Sequence, residues 1–284
     1  MKTKKNLYVV FLGAVLGLSA VQASAESKLT VSHLACEQNI VSVTEAQRYL
    51  LLPVQDNAPE AKVGIISGNT QVGVLANVRL ARERVDYYVP FDLSAFAGKD
   101  VKIDVQGMPQ GSLCWKEMKL SDTFDMTNKE KYRPVYHHTP AYGWMNDPNG
   151  MFYKDGVWHL YFQHNPYGSV WGNLAWGHST STDLVHWQYE GDPVMADALG
   201  LIFSGSSVVD KDNTAGFGAG TIVSFYTSAK SSPWGDVQMQ SMAYSTDGGK
   251  TFTKYDGNPV ITSTARDFRD PKVFWYAPGK HWVM

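Results

Sequence analysis

Short runs of β-branched and aromatic residues, separated by clusters of Gly, Asn, Asp and Pro, recur along the first third of the chain. The clearest runs are residues 48–53, 63–66, 84–89 and 101–105. Such runs between turn residues predict β-strands, and no helical periodicity of useful length interrupts them. Residues 26–122 are therefore predicted to form a small β-sandwich. It holds no catalytic constellation, so we expect a structural or sugar-binding accessory role.

A polar, charged stretch at residues 123–134 predicts a linker, and the pattern changes after it. At residues 181–194, Ser-Thr-Asp precedes an aromatic residue, a Tyr, an acid, a Gly and Pro-Val. The same order recurs at residues 245–260, about 65 positions further on. Chance recurrence of turn signals is the alternative, but the shared order favours a true repeat.

A hairpin-like strand precedes each copy of the repeat, at residues 157–162 and 221–226, and a third begins at 281–284. A period of this length with about four strands is typical of β-propeller blades, and a closed propeller needs at least four of them. Residues 135–284 are thus predicted to form the first part of a propeller, cut in its third blade. We expect the sequence to be a fragment of a longer gene product.

The N-terminus has the features of a secretory signal peptide. Lysines cluster in the first five residues, an apolar run covers residues 7–18, and Ala23-Ser-Ala25 fits a cleavage site. The run is too short to span a bilayer comfortably, so no stable membrane insertion is expected after signal removal. Residues 1–25 are predicted to direct export to the periplasm or the cell exterior.

Net charge bears on the possible partners, and cysteine content bears on the possible disulfides. The formal net charge is −2, and signal removal would make it more negative, so no nucleic-acid partner is expected. The only cysteines are Cys36 and Cys114. Export makes a disulfide between them possible, and two free, buried thiols are the alternative.

The blade period places three polar segments, 144–150, 203–206 and 269–271, at equivalent positions, each opening a blade. The first strand of a blade lines the central channel, so these segments should meet at one mouth. Asp147 and Asp270 would then face a single cavity among Asn, Ser, Gln and Arg side chains, which suits a sugar. Asp-Pro and Asn-Gly are also common turn dipeptides, and either segment alone would carry little weight.

Together these motifs resemble glycoside hydrolase family 32, the β-fructosidases. The matching segments, in the family's order, are 144–150, 161–166, 171–172, 176–178, 183–187, 203–206 and 269–271. Residues 26–122 resemble, more loosely, the extra N-terminal domain of some bacterial levanases. The resemblance implies a five-bladed propeller followed by a β-sandwich, and retaining hydrolysis of β-fructofuranosyl linkages in levan, inulin or sucrose.

By this resemblance Asp147 is the nucleophile and Asp270 the stabiliser of the transition state, gripping fructosyl hydroxyls. The neighbouring Arg269 should keep Asp270 ionised. The positions that match the family's fructose pocket are Asn146, Gln163, Trp171, Phe203, Ser204 and Arg269. The family's general acid is the Glu of a Glu-Cys pair, and no such pair follows Asp270 here. We therefore expect the acid to lie beyond Met284.

The sequence gives little support for metal-dependent, cofactor-dependent or serine-triad chemistry. The histidines show no His-Glu-x-x-His spacing, and no Gly-x-Ser-x-Gly elbow is present, so we expect no metal, no cofactor and no serine triad. The expected partner is a fructan oligosaccharide or polysaccharide. Two alternatives stay open: a fructan-binding propeller without catalysis, and a related propeller enzyme such as a fructosyltransferase or an arabinan hydrolase. Preference among levan, inulin and sucrose, and endo or exo cleavage, also stay open.

The first prediction is that residues 26–284 alone do not hydrolyse fructans. Protonation of the leaving oxygen by a placed carboxylic acid is worth about 10² to 10⁴ in rate, and that acid is expected outside this segment. The expected result is negligible release of fructose from levan, inulin and sucrose at high protein concentration. Release approaching that of the full-length protein would contradict the prediction and place the acid within these residues.

Overall fold

The computed structural model describes residues 28–68, 70–127 and 131–284, so the predicted signal peptide lies outside the described residues. Helical structure within these ranges is limited to a 3₁₀ turn at Ser94–Phe96 and one α-helical turn, α1, at Cys114–Glu117. The prediction of an all-β protein is confirmed. No helix of the described ranges is long and apolar enough to span a membrane.

The first eight strands form two sheets. Their bounds are β1 Lys28–His33, β2 Gln38–Thr44, β3 Tyr49–Val54, β4 Ala61–Ser67, β5 Thr70–Val78, β6 Tyr87–Asp92, β7 Val101–Gln106 and β8 Lys119–Ser121. One sheet has the order β1-β2-β7-β4-β5, and the other has the order β6-β3-β8. All of their pairings are antiparallel.

The two sheets pack face to face through alternate residues of their strands. Val41 and Val43 of β2 and Leu50 and Leu52 of β3 are buried in one apolar cluster. A spacing of two puts such residues on the same face of a strand, so one face of each sheet is apolar. This is the predicted β-sandwich. The four apolar runs predicted as strands correspond to β3, β4, β6 and β7, and the more polar β1, β2, β5 and β8 escaped prediction.

Beyond the sandwich the strands form blades. Their bounds are β9 Trp144–Lys154, β10 Val157–Asn165, β11 Ala175–Ser181, β12 Gln188–Val194, β13 Leu201–Asp210, β14 Thr221–Lys230, β15 Val237–Ser245, β16 Thr253–Lys254, β17 Phe274–Tyr276 and β18 His281–Val283. Strands β9–β12 and β13–β16 form two four-stranded antiparallel sheets in sequential order, and β17 pairs with β18. The predicted repeat is therefore two blades and the start of a third.

Adjacent blades share an apolar core. Tyr161 and Trp176 of the first blade pack with Ile202 and Tyr226 of the second, and all four are fully buried. The indole nitrogen of Trp176 also donates a hydrogen bond to the Phe203 carbonyl oxygen, at 3.1 Å. This bond ties the first blade to the strand that opens the second.

Both cysteines are free thiols, which settles the alternatives left open by the sequence. Cys36 is exposed, whereas Cys114 is buried at the start of α1, so the expectation of two buried thiols holds for Cys114 only. Burial raises the pKa of Cys114 to about 12, which keeps it a neutral thiol.

The second prediction concerns Gly205, where two blades meet. A Cβ at this position would lie 1.9 Å from the Phe225 carbonyl oxygen, so Gly205→Ala must displace backbone. We expect the free energy of unfolding, measured by urea denaturation, to fall by about 1–3 kcal/mol or more. Gly111→Ala is the matched control, because a Cβ at Gly111 meets nothing within 4 Å. Equal stability of the two variants would contradict the close approach.

Candidate active site

A β-bulge in the first strand of the first blade sets the direction of Asp147. Two residues of β9, Asn146 and Asp147, stand opposite the single residue Gln163 of β10. A bulge of this kind bends the strand and turns a side chain out of the regular alternation. The Asp147 carboxylate is consequently exposed at the opening end of β9 instead of packing within the blade.

A second bulge occupies the corresponding place in the next blade. In β13, Phe203 and Gly205 pair with successive residues of β14, which leaves Ser204 as the extra residue. The Ser204 hydroxyl donates a hydrogen bond to Asp147 Oδ2, at 2.7 Å. The two blade-opening strands thus bring these predicted site residues into direct contact.

The third segment, containing Asp270, is held by the second blade. The Asp270 N–H donates to Thr227 Oγ1 at 3.0 Å, and the Thr227 hydroxyl donates to Gln240 Oε1 at 2.9 Å. The Gln240 amide nitrogen in turn donates to the Phe268 carbonyl oxygen at 2.9 Å. Asp270 itself has a φ of 63°, a left-handed conformation that is uncommon for a residue other than glycine. These contacts hold the segment in that conformation.

Arg269 affects the pKa of Asp270 in the expected direction but does not set the net shift. Its guanidinium donates to Asp267 at 2.5 Å, whereas its Nε lies 3.8 Å from Asp270 Oδ2. Partial burial raises the pKa of Asp270; Arg269 lowers it, the negative charge of Asp147 raises it, and the net shift is upward. Arg269 thus favours the ionised form as expected, but it does not prevail, because burial has the larger effect and the charge of Asp147 adds to it.

The remaining residues of the predicted pocket are aromatic and amide side chains. Trp171 is half exposed and meets Phe203 edge to face, with ring centroids 6.0 Å apart. Gln163 is only 1% exposed, and neither atom of its amide has a partner among the described residues. Buried amides are normally hydrogen-bonded, so this unpartnered amide is an exception within the described residues. Asn146 accepts a hydrogen bond from the Trp144 indole, at 3.1 Å.

The blade-opening strands are joined by polar contacts that sequence reasoning missed. The Gly205 N–H donates to Asn149 Oδ1 at 3.2 Å. The Ser206 hydroxyl donates to the Pro271 carbonyl oxygen and accepts from the Val273 N–H, both at 2.9 Å. Asn149 and Ser206 lie inside the motifs noted from the sequence. Thr227 and Gln240 lie on β14 and β15, outside every motif noted from the sequence. Only the pairing of β13 with β14 and of β14 with β15 could have identified them.

Among the residues of described placement, no three His, Cys, Asp or Glu side chains gather as a set of metal ligands. What the site offers is two carboxylates near enough for one to affect the pKa of the other, a hydroxyl bonded to one of them, an unpartnered buried amide and a partly exposed indole. Carboxylates and amides can hold sugar hydroxyls, and an aromatic ring can cover a sugar face.

The propeller and its paired acids define the class of this protein as a β-propeller with an acidic site at the openings of its blades. The family model "Glycosyl hydrolases family 32 N-terminal domain" matches residues 137–284, more than half of the sequence. The chain therefore belongs to glycosyl hydrolase family 32, as its motifs suggested. A model named "Domain of unknown function (DUF4980)" matches residues 35–136, which include most of the sandwich.

A levanase and an invertase are among the proteins similar in sequence to this chain. The chain is 53% identical over 159 residues to a levanase of Bacillus subtilis (strain 168), covering 55% of this chain and 23% of that protein. It is 49% identical over 169 residues to invertase 1 of Saccharomyces cerevisiae, covering 56% and 31%. The chain thus spans less than a third of these relatives' length.

Among solved structures, a fructofuranosidase variant from Schwanniomyces occidentalis complexed with fructosylnystose is similar, with a TM-score of 0.50 and 49% sequence identity. The match covers 54% of this chain and 31% of that structure.

The third prediction tests the electrostatic contact between the two carboxylates. Asp147→Asn removes a negative charge that opposes ionisation of Asp270, so the pKa of Asp270 should fall towards its ordinary value. Carboxyl ¹³C NMR during a pH titration measures this shift. Ser204→Ala is the matched control, because it removes a hydrogen bond from Asp147 but leaves its charge. An Asp270 titration unchanged by Asp147→Asn would show that the two groups do not share a cavity.

Proposed function

We propose that this protein acts in retaining hydrolysis of β-fructofuranosyl linkages in fructans or sucrose. The observation that carries the proposal is the meeting of Asp147 and Ser204, with Asp270 close enough for the charge of Asp147 to affect its pKa. A site that forms and cleaves a covalent sugar ester needs one carboxylate free to attack and polar groups that hold the ring in place. The named relatives, a levanase and an invertase, support the substrate class.

Asp147 is proposed as the nucleophile. Its carboxylate oxygen forms a bond to the anomeric carbon of the fructosyl unit while the bond to the leaving oxygen breaks. A protonated carboxylic acid gives its proton to that oxygen, and by family resemblance this is the Glu of a Glu-Cys pair. Water then cleaves the ester with the same Glu acting as base, so the anomeric configuration is retained. The Ser204 hydrogen bond to Oδ2 orients the carboxylate and leaves the other oxygen available for attack.

Asp270 is proposed to accept hydrogen bonds from fructosyl hydroxyls without transferring a proton in the reaction. The hydrogen-bonded chain from Thr227 to Phe268 holds its backbone, which favours a positioning task over a mobile acid–base one. The Gln163 amide lies opposite the Asp147 bulge and is proposed to bind a further hydroxyl. Asn146, Trp171, Phe203, Ser204 and Arg269 complete the proposed pocket.

The remaining organisation follows from the same proposal. We infer export through a signal peptide at residues 1–25, an accessory β-sandwich at 26–122, a linker at 123–134 and the beginning of the catalytic propeller at 135–284. The similarity to an extracellular exo-inulinase of Aspergillus niger, 44% identical over 180 residues, supports export as well as the substrate class.

The fourth prediction tests the nucleophile in the full-length protein. Asp147→Asn should lower kcat on sucrose, inulin and levan by about 10³-fold or more, because no ester can form. Asp155→Asn is the matched control: Asp155 lies beyond the far end of the same strand, is exposed, and has a left-handed φ of 52° that Asn tolerates. Near-normal turnover of Asp147→Asn would refute the assignment. Wild-type protein that binds these sugars without releasing fructose would favour the non-catalytic alternative.

A further inference from the structure

The β-sandwich contacts the propeller at the loop that carries Trp171. This loop, residues 166–174, joins β10 to β11 at the end of the blade where β9 begins, because Asn165 pairs with Trp144. It is therefore at the same end of the blade as Asp147. Two sets of hydrogen bonds from the sandwich reach it, one on each side of Trp171.

The first set joins Asn173 to the backbone of Asn77 on β5. The Asn77 N–H donates to Asn173 Oδ1 at 2.8 Å, and Asn173 Nδ2 donates to the Asn77 carbonyl oxygen at 2.8 Å. A single amide side chain thereby satisfies both polar groups of one residue on an edge strand. The same Nδ2 donates to Asn165 Oδ1 at 3.0 Å, so the contact reaches the end of β10.

The second set joins Ser169 to Asp56 and Tyr87. The Tyr87 hydroxyl donates to Asp56 Oδ1 at 2.6 Å and accepts from the Ser169 N–H at 3.1 Å. The Ser169 hydroxyl donates to the same Asp56 oxygen at 2.5 Å. Burial, followed by the hydrogen bond to Asp56, raises the pKa of Tyr87, so its hydroxyl keeps the proton that it donates.

An apolar contact supports these polar ones. Tyr167 packs against the apolar core of the sandwich, with its ring centroid 5.8 Å from that of Phe91 on β6. The loop is thus attached to the sandwich at residues 167, 169 and 173. Trp171 lies between the last two attachments, half exposed and with its ring against Phe203.

We propose that the sandwich, most of which matches a domain of unknown function, is a positioning element of the active site: through Asn77, Asp56 and Tyr87 it holds the Trp171 loop in place. This inference rests on the proposed function, in which Trp171 lines the fructose pocket. A loop ordered before the ligand arrives loses less conformational entropy on binding, and a correctly placed ring improves affinity and orientation. The sandwich therefore contributes to catalysis without touching the substrate.

The fifth prediction tests this role in the full-length protein by steady-state kinetics. Tyr87→Phe removes the hydroxyl that bonds Asp56 and Ser169. Asn173→Gly removes the side-chain amide, and glycine tolerates the left-handed φ of 45° at this position. Each should lower kcat/KM for sucrose or inulin about fivefold to tenfold, mainly through a higher KM, as expected for the loss of two or three hydrogen bonds. Tyr88→Phe is the matched control, because that hydroxyl bonds only Glu117 within the sandwich, and it should leave kcat/KM unchanged.

A double-mutant cycle separates positioning from general destabilisation. In a Trp171→Ala background, Tyr87→Phe should no longer change KM, because the ring that it positions is gone. Its effect on the free energy of unfolding should be the same in both backgrounds. An undiminished effect of Tyr87→Phe on KM without Trp171 would overturn the inference.

Hydrogen exchange on the same variants gives a readout that does not depend on activity. The Ser169 N–H, which donates to Tyr87, should exchange faster in Tyr87→Phe, and the Asn77 N–H should exchange faster in Asn173→Gly. Unchanged protection at both positions would overturn the inference even in an active enzyme. A wild-type protein without fructosidase activity would refute the proposed function instead, and exchange would still decide whether the sandwich holds the loop.

Discussion

The hydrogen bonds between blade-opening strands are the constraint on which the rest of the propeller depends. A four-stranded blade has two faces to cover, and the apolar cluster around Tyr161, Trp176 and Tyr226 covers the faces between the first two blades. Hydrogen bonds then fix how the blade-opening strands meet. Asn149 accepts a hydrogen bond from the Gly205 N–H, and the Ser206 hydroxyl bonds the Pro271 carbonyl oxygen and the Val273 N–H. Within the second blade, β13 approaches β14 so closely at its bulge that a Cβ at Gly205 would collide with the Phe225 backbone.

The candidate site is built by irregularities in these same strands. Regular alternation would direct every second side chain into the blade packing, and a bulge releases one residue from that pattern. Asp147 and Ser204 occupy bulges in successive blades and bond to each other. Asp270 reaches the same region by another route, in a left-handed conformation held from Thr227.

Ionisation in the site depends on which groups lie close together in the fold more than on which residues adjoin in the sequence. Arg269 follows Asp267 by two residues and donates a hydrogen bond to it. Burial and the charge of Asp147 raise the pKa of Asp270 despite the presence of Arg269. A similar arrangement operates at the junction with the sandwich, where Asp56, Tyr87 and Ser169 come from separate parts of the chain. The sandwich and the blade loop are joined by bonds that neither could make alone.

The sequence by itself determined the all-β class, the blade repeat and the identity of the polar motifs. Runs of β-branched and aromatic residues, turn dipeptides and recurring order are local properties of the sequence. They were sufficient to predict the sandwich and the two blades, and they drew attention to Asp147, Ser204 and Asp270. They could not show the polar partners Thr227 and Gln240, because these residues lie on ordinary strands and matter only through what stands beside them.

Tertiary structure alone decided which of these groups touch. One extra residue in β9 and another in β13 determine where Asp147 and Ser204 point, and bulges depend on how strands pair. The same holds for the partner of Arg269, for the free thiols and for the attachment of the Trp171 loop to Asn77 and Tyr87. Each of these contacts joins residues whose distance in space follows from register and packing, which local sequence does not specify.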